Sequence, residues 1–138
     1  MSAELGPFTE RMDGAMAVIT ARPTSGPAGA CLCGFFGQTS IEPPRFTVWL
    51  SVQNATYRAA SSAPALAVHL LPVERHDLAA WFGEQTGDQV DKLAAYATHD
   101  GPAGTVLLDE LPIRLVGRVV GQVEGLGDHV GFVLDPVE

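Results

Sequence analysis

Gly29–Ser51 reads GACLCGFFGQTSIEPPRFTVWLS. Small residues, two thiols, two adjacent phenylalanines and an amide run into a double proline. A β-rich segment then follows. ACLCGFF (30–36) is read as a strand, with Gly34 as the point where it can kink or admit a close approach to its backbone. Glu42-Pro43-Pro44-Arg45 is a corner, and FTVWLSV (46–52) is a second strand. Outward from this stretch, AMAVITA (15–21) is a strand joined to 30–36 through the turn-forming PTSGPAG (23–29), which makes a hairpin. Asn54 is a good N-cap for a short helix over 54–62. PALAVHLLP (64–72) is a buried strand. Leu78, Trp81 and Phe82 fall at helical spacing within 74–85.

A lead-in helix or turn is expected over 5–13, and a second short helix over 88–96 after a Thr86-Gly87 break. HDGPAG (99–104) is a loop. The tail carries strands at 106–108, 113–124 and 129–138, with GLGD (125–128) as a turn. Six or seven strands with short helices and no repeating βα unit give a mainly β, mostly antiparallel barrel. At 138 residues, with no linker or low-complexity tract, residues 1–138 read as one domain.

The composition is 46% hydrophobic and 17% charged, with a net charge of −8. That balance argues against nucleic acid and anionic membranes as partners. An anionic cofactor would have to be held by local donors. Cys31 and Cys33, spaced i, i+2, point to one strand face, a poor geometry for a mutual disulfide. They read as buried free thiols suited to a reducing cytosol, and no thiolate metal site can be completed. With no secretory pattern and no long apolar run, a cytoplasmic location is expected.

The ordered segments VIT (18–20), SIEPP (40–44), Ser51-x-x-Asn54-x-Thr56, Asp91-Lys92-Leu93 and GDHVGF (127–132) resemble the flavin reductase-like FMN-binding family from about residue 9 to the C-terminus. The resemblance implies a split β-barrel, Greek-key-like, forming a homodimer with FMN (or FAD) in a groove at the interface. It also implies NAD(P)H as reductant and, in many members, a partner oxygenase. Where members carry T-x-S-S-F, this chain has Leu32-Cys33-Gly34-Phe35-Phe36, so three hydroxyl partners of the flavin are absent. Gln38 and Thr39 are candidate replacements.

The candidate site residues follow. Ser51, Asn54, Thr56 and Arg58 sit where a strand enters a helix and backbone amides converge, a seat for phosphate; the plainer reading is a helix cap and a solvated arginine. Cys33, Gly34, Phe35, Phe36, Gln38 and Thr39 are candidates for the ring. Alternation sends Phe35 and Phe36 to opposite faces, so at most one lines a groove. His129, after the glycine turn, is the candidate catalytic residue, able to orient the reductant or handle a proton; otherwise it is a turn histidine. His69 reads as a buried, hydrogen-bonded strand residue, and His76 and His99 as exposed. Asp91-Lys92 reads as a helix-surface pair or as a cofactor contact. A flavin reductase is the leading function. The alternatives are a module that binds FMN, haem or a deazaflavin without reducing free flavin, and a dimeric interaction protein.

Overall fold

The computed structural model describes residues 3–12, 14–85 and 90–138. Asp13, the expected Thr86-Gly87 break, and Asp88 and Gln89 of the expected second short helix lie outside the described residues. In chain order the elements are α1 (Gly6–Thr9), β1 (Ala17–Ala21), β2 (Gly29–Cys33), β3 (Phe36–Ser40), β4 (Arg45–Ser51), α2 (Ala55–Ala60), β5 (Ala65–Leu70), α3 (His76–Glu84), β6 (Thr98–Asp100), β7 (Val106–Leu108), β8 (Arg114–Val123) and β9 (His129–Pro136). Short 3-10 turns at Lys92–Ala95 and Pro102–Gly104 join them.

Seven strands form one antiparallel sheet in the order β2-β1-β5-β8-β9-β4-β3. Its two outermost strands are consecutive in the chain, separated only by Gly34 and Phe35. The sheet therefore curls until its edges are joined by one bent run, residues 29–40, which pairs with β1 along its first half and with β4 along its second. This is a split antiparallel β-barrel. The sequence reading of a single strand over 30–36 is corrected accordingly. Two strands meet there, because the chain must leave one edge of the sheet and join the other.

Side-chain alternation explains the layers. Ala17, Ile19, Cys31, Cys33, Val48, Leu50, Val130, Phe132 and Leu134 fill the barrel interior. On the outer side of β1 and β2, Val18 and Ala30 pack against Leu78 and Phe82 of α3 and against Leu108 and Leu111. Every residue of β1 is buried, since both of its faces are covered. Leu78 and Phe82, four apart, form the buried stripe of α3, while Trp81 at its margin is half-buried. Asn54 caps α2 as expected, its side chain accepting from the Thr56 amide at 2.9 Å. The expected loop at 99–104 is corrected at its start: residues 99 and 100 belong to β6, which pairs with β7 as a small second sheet. His69 is buried on β5, with Nδ1 3.0 Å from the Val18 carbonyl and Nε2 accepting from the Leu108 amide at 3.1 Å. Among the described residues no helix is long and apolar enough to cross a membrane.

Candidate functional site

The barrel splits where β2 and β4 part. The Trp49 amide donates to the Phe35 carbonyl at 2.9 Å and pins the seam, but the two strands are not paired in the sheet. Three adjoining recesses lie along this seam, and a fourth lies beyond them against α2 and the β1–β2 loop. The first, about 270 Å³, and the second, about 150 Å³, share Phe35, Trp49 and His129. The second and the third, about 330 Å³, share Leu32, Ser51 and Asn54. The third and the fourth, about 540 Å³, share Ala55 and Lys92. Their shared walls set the recesses side by side from His129 past α2 to the β1–β2 loop, and together they are called the groove.

At the His129 end the two phenylalanines diverge as alternation requires. Phe35 is 59% exposed and its ring lies 4.9 Å from the His129 ring, tilted by 49°. Phe36 turns inward, packs on the barrel core and meets Phe46 at 5.9 Å. Trp49 completes the wall by lying over Gly131, where a Cβ would come within 2.6 Å of the indole. His129 faces Ser51 across the β4–β9 pair. Its Nδ1 is 2.8 Å from the Asp128 carboxylate, and that hydrogen bond to the imidazole holds the Asp128 carboxyl below its usual range. Among the described residues Nε2 makes no hydrogen bond. Gly34 lines the second recess, though the Met16 thioether already stands 3.2 Å from where a Cβ would be.

In the middle of the groove the sequence predicts free amides converging at the turn after β4. The structure shows several of them already engaged. The Gln53 amide donates to Ser51 Oγ at 3.3 Å, the Thr56 amide to the Asn54 side chain, and the Tyr57 amide to the Asn54 carbonyl at 3.0 Å. Thr56 itself is buried, its hydroxyl beside Gly29. Ser51 and Asn54 line the groove, and Arg58 lies at the surface of the fourth recess.

The cation that sequence reasoning underrated is Lys92. It is only 5% exposed, not a helix-surface residue, and lines both the third and the fourth recess. Its Nζ donates to the Phe82 carbonyl at 2.8 Å, and its own carbonyl accepts from Trp81 Nε1 at 2.9 Å. None of the ion pairs among the described residues includes it. Burial lowers the pKa of its ammonium group. The 3-10 turn that carries it is capped by Asp91, whose carboxylate accepts from the Ala94 amide at 3.3 Å. The signal available in the sequence was the Asp91-Lys92-Leu93 segment itself, since polarity alone put Lys92 on the surface.

Of the remaining predicted residues, Cys33 lines the second recess, and Gln38 and Thr39 do not line any of the four. Cys33 sits in the barrel wall, its thiol donating toward the Phe35 and Trp49 carbonyls at 3.4 and 3.5 Å, and burial raises its pKa. The deeper Cys31 is pushed up to about 12 by burial and by its neighbour Cys33. Gln38 and Thr39 are not brought to the groove. Gln38 donates to the Ser40 carbonyl, and Thr39 bonds Thr47 on β4 at 2.9 Å. His76 and His99 are exposed, the latter paired with Asp109.

Solved structures of similar shape share this architecture. An FMN-binding protein from Thermus thermophilus, crystallised with bound 1-cyclohex-2-enone, is 24% identical, with a TM-score of 0.87 over 100% of this chain and 76% of that one. Flavoredoxin from Methanosarcina acetivorans is 19% identical, with a TM-score of 0.82 over 91% of this chain and 67% of that one. The NADH:FAD oxidoreductase SgcE6 of Streptomyces globisporus C-1027 is 19% identical, with a TM-score of 0.79 over 91% and 73%. No curated protein matches the chain. The family model described as flavin reductase like domain matches residues 9–138, nearly the whole chain and every wall of the groove, and the chain therefore belongs to that family.

Proposed function

We propose that this chain holds a flavin along the split between β2 and β4 and acts as an NAD(P)H-dependent flavin reductase. The observation that carries the reading is the groove itself. An aromatic wall stands at one end, and a nearly buried ammonium group with one backbone acceptor lies further along. A flavin phosphate needs a local cation on a chain of net charge −8, and Lys92 is suited to supply it.

A bound flavin would supply the acceptance and donation of hydride. The chain's own residues then have separate tasks. Lys92 neutralises the phosphate, and Ser51 and Asn54 meet the polyol between phosphate and ring. Phe35 and Trp49 cover the ring's faces and exclude water. His129, held by Asp128 through Nδ1, orients the reductant or exchanges a proton through Nε2. FMN is the cofactor expected from the family resemblance, with FAD as its extended form. A second copy of the chain would cover the open side of the groove, consistent with the exposed Phe8, Phe35 and Ile41.

The test is the visible spectrum of purified protein after flavin addition and desalting, followed by NADH and NADPH oxidation with flavin in excess. Retained absorbance near 450 nm with turnover of one nicotinamide supports the proposal. Protein that retains no flavin and oxidises neither nicotinamide overturns it. Light scattering reports the oligomeric state.

A further inference from the structure

Among the described residues the exposed sulfur-bearing side chains are Met12, 62% exposed, and Met16, 37% exposed. Cys31 and Cys33 are buried, and burial keeps both as thiols, whereas peroxide attacks the thiolate. Methionine is therefore the sulfur that an oxidant in solution reaches.

The two methionines differ in what they touch. Met12 follows α1, where Leu5 and Phe8 are exposed as well. Met16 stands one residue before β1, and its carbonyl accepts from the Leu71 amide at 3.0 Å, which holds its backbone to the sheet. Beside the last β1–β2 pair, Ala17 with Cys33, the Met16 thioether fills the side-chain space of Gly34. A Cβ there would stand 3.2 Å from Sδ and 3.4 Å from Cε. Gly34 opens the two-residue bend that carries the chain from β2 to β3. The carbonyl of the next residue, Phe35, accepts from the Trp49 amide and from the Cys33 thiol, and the Phe35 ring lies against His129. The thioether thus buttresses the bend that sets the aromatic end of the groove.

We infer that Met16 is a site of reversible oxidation by hydrogen peroxide, and that its sulfoxide loosens the bend at Gly34-Phe35. The sulfur gives two electrons to the peroxide, the O–O bond breaks, one oxygen forms the S=O bond and the other leaves as water. A flexible apolar thioether becomes a polar sulfoxide, and its fit over Gly34 is lost. The source of oxidant rests on the flavin reading. Reduced flavin that meets dioxygen passes two electrons and two protons to it, returning oxidised flavin and hydrogen peroxide. Turnover without a prompt acceptor then damps the chain's own ligand binding, and a methionine sulfoxide reductase restores it.

The native protein is treated with hydrogen peroxide. Peptide mass spectrometry locates the sulfoxides, hydrogen exchange follows the Trp49 amide, and fluorescence titration gives riboflavin affinity before and after. The expected result is a sulfoxide at Met16, faster exchange at Trp49 and riboflavin affinity lowered about two- to tenfold, the worth of a displaced aromatic contact. Met16→Leu, which preserves volume, binds riboflavin as the parent does and shows neither response. Met12→Leu retains both responses, and methionine sulfoxide reductase reverses them in the parent. No sulfoxide at Met16, a sulfoxide there with exchange at Trp49 unchanged, or responses that persist in Met16→Leu overturn the inference. Untreated protein that binds no riboflavin overturns the flavin reading and the feedback drawn from it, while the mass and exchange readouts still decide the inference about Met16.

Discussion

The Leu108 backbone amide donates to Nε2 of the fully buried His69 at 3.1 Å, while His69 Nδ1 meets the Val18 carbonyl at 3.0 Å. Both ring nitrogens are used, and the arrangement requires neutral imidazole with its proton on Nδ1. Burial, the leading cause, lowers the pKa of His69 below its ordinary value of 6.5. The unfolded chain therefore binds a proton that the folded chain does not, and stability rises with pH in that window. This contribution is fully present above pH 6.5 and is lost as the pH falls toward the folded-state pKa. Thermal unfolding followed from pH 8 to pH 5 should show Tm falling on acidification. His69→Gln should be less stable at pH 8 and show a smaller slope.

Trp49 and Gly131 are a packed pair. A methyl group at 131 would overlap the indole at 2.6 Å, backed by β9. Gly131→Ala should cost about 1–3 kcal/mol in urea unfolding, the range for overpacking. Trp49→Ala made alongside should relieve part of that cost, giving a non-additive cycle.

Lys92→Met keeps length and removes charge. FMN affinity should fall by about tenfold or more, the worth of a charge-assisted hydrogen bond, while riboflavin affinity is unchanged. Fluorescence titration of both ligands decides it. Stability should hold or rise, because a buried ammonium group costs desolvation.

Phe35→Leu should act on the other end of the ligand. Loss of aromatic contact should weaken riboflavin and FMN equally, by about two- to tenfold from the 0.5–1.5 kcal/mol that such contacts supply. An effect on FMN alone would put Phe35 elsewhere in the site.

Both thiols are shielded and hard to ionise. Ellman's reagent at pH 8 should react with neither Cys31 nor Cys33 in native protein on the timescale of minutes, and with both in guanidinium chloride.

The barrel was legible because its strands carry clear alternation and its turns carry proline and glycine at the corners. Asn54 and the Leu78/Phe82 stripe announced α2 and α3 for the same local reasons. Gly34 marked a point where the strand could kink, but that the chain there leaves one edge of the sheet for the other was not legible. It is imposed by closure of the sheet, a property of strands far away in the chain. The site divides the same way. Phe35 and His129 meet because Ser51 pairs with His129 and Trp49 pins the Phe35 carbonyl; residue type together with family resemblance singled out His129, but left Phe35 and Phe36 as alternatives. Lys92 was misjudged because nothing local says that Trp81 and the Phe82 carbonyl will enclose a lysine. Gln38 and Thr39 are both exposed on β3 where the β3–β4 register shifts between Gln38 and Ser40, an irregularity that strict alternation does not anticipate.

β4 pairs on one side with β9, Phe46 opposite Leu134, so the strand bearing Trp49 and Ser51 gains that neighbour only from a segment about 80 residues further along the chain. Contacts so distant in sequence are slow to form. On the proposed function, flavin capture by the groove is a late event on the folding route, and a polypeptide lacking β9 has no competent cleft to offer. Recovery of flavin-induced fluorescence quenching during refolding would time completion of the cylinder.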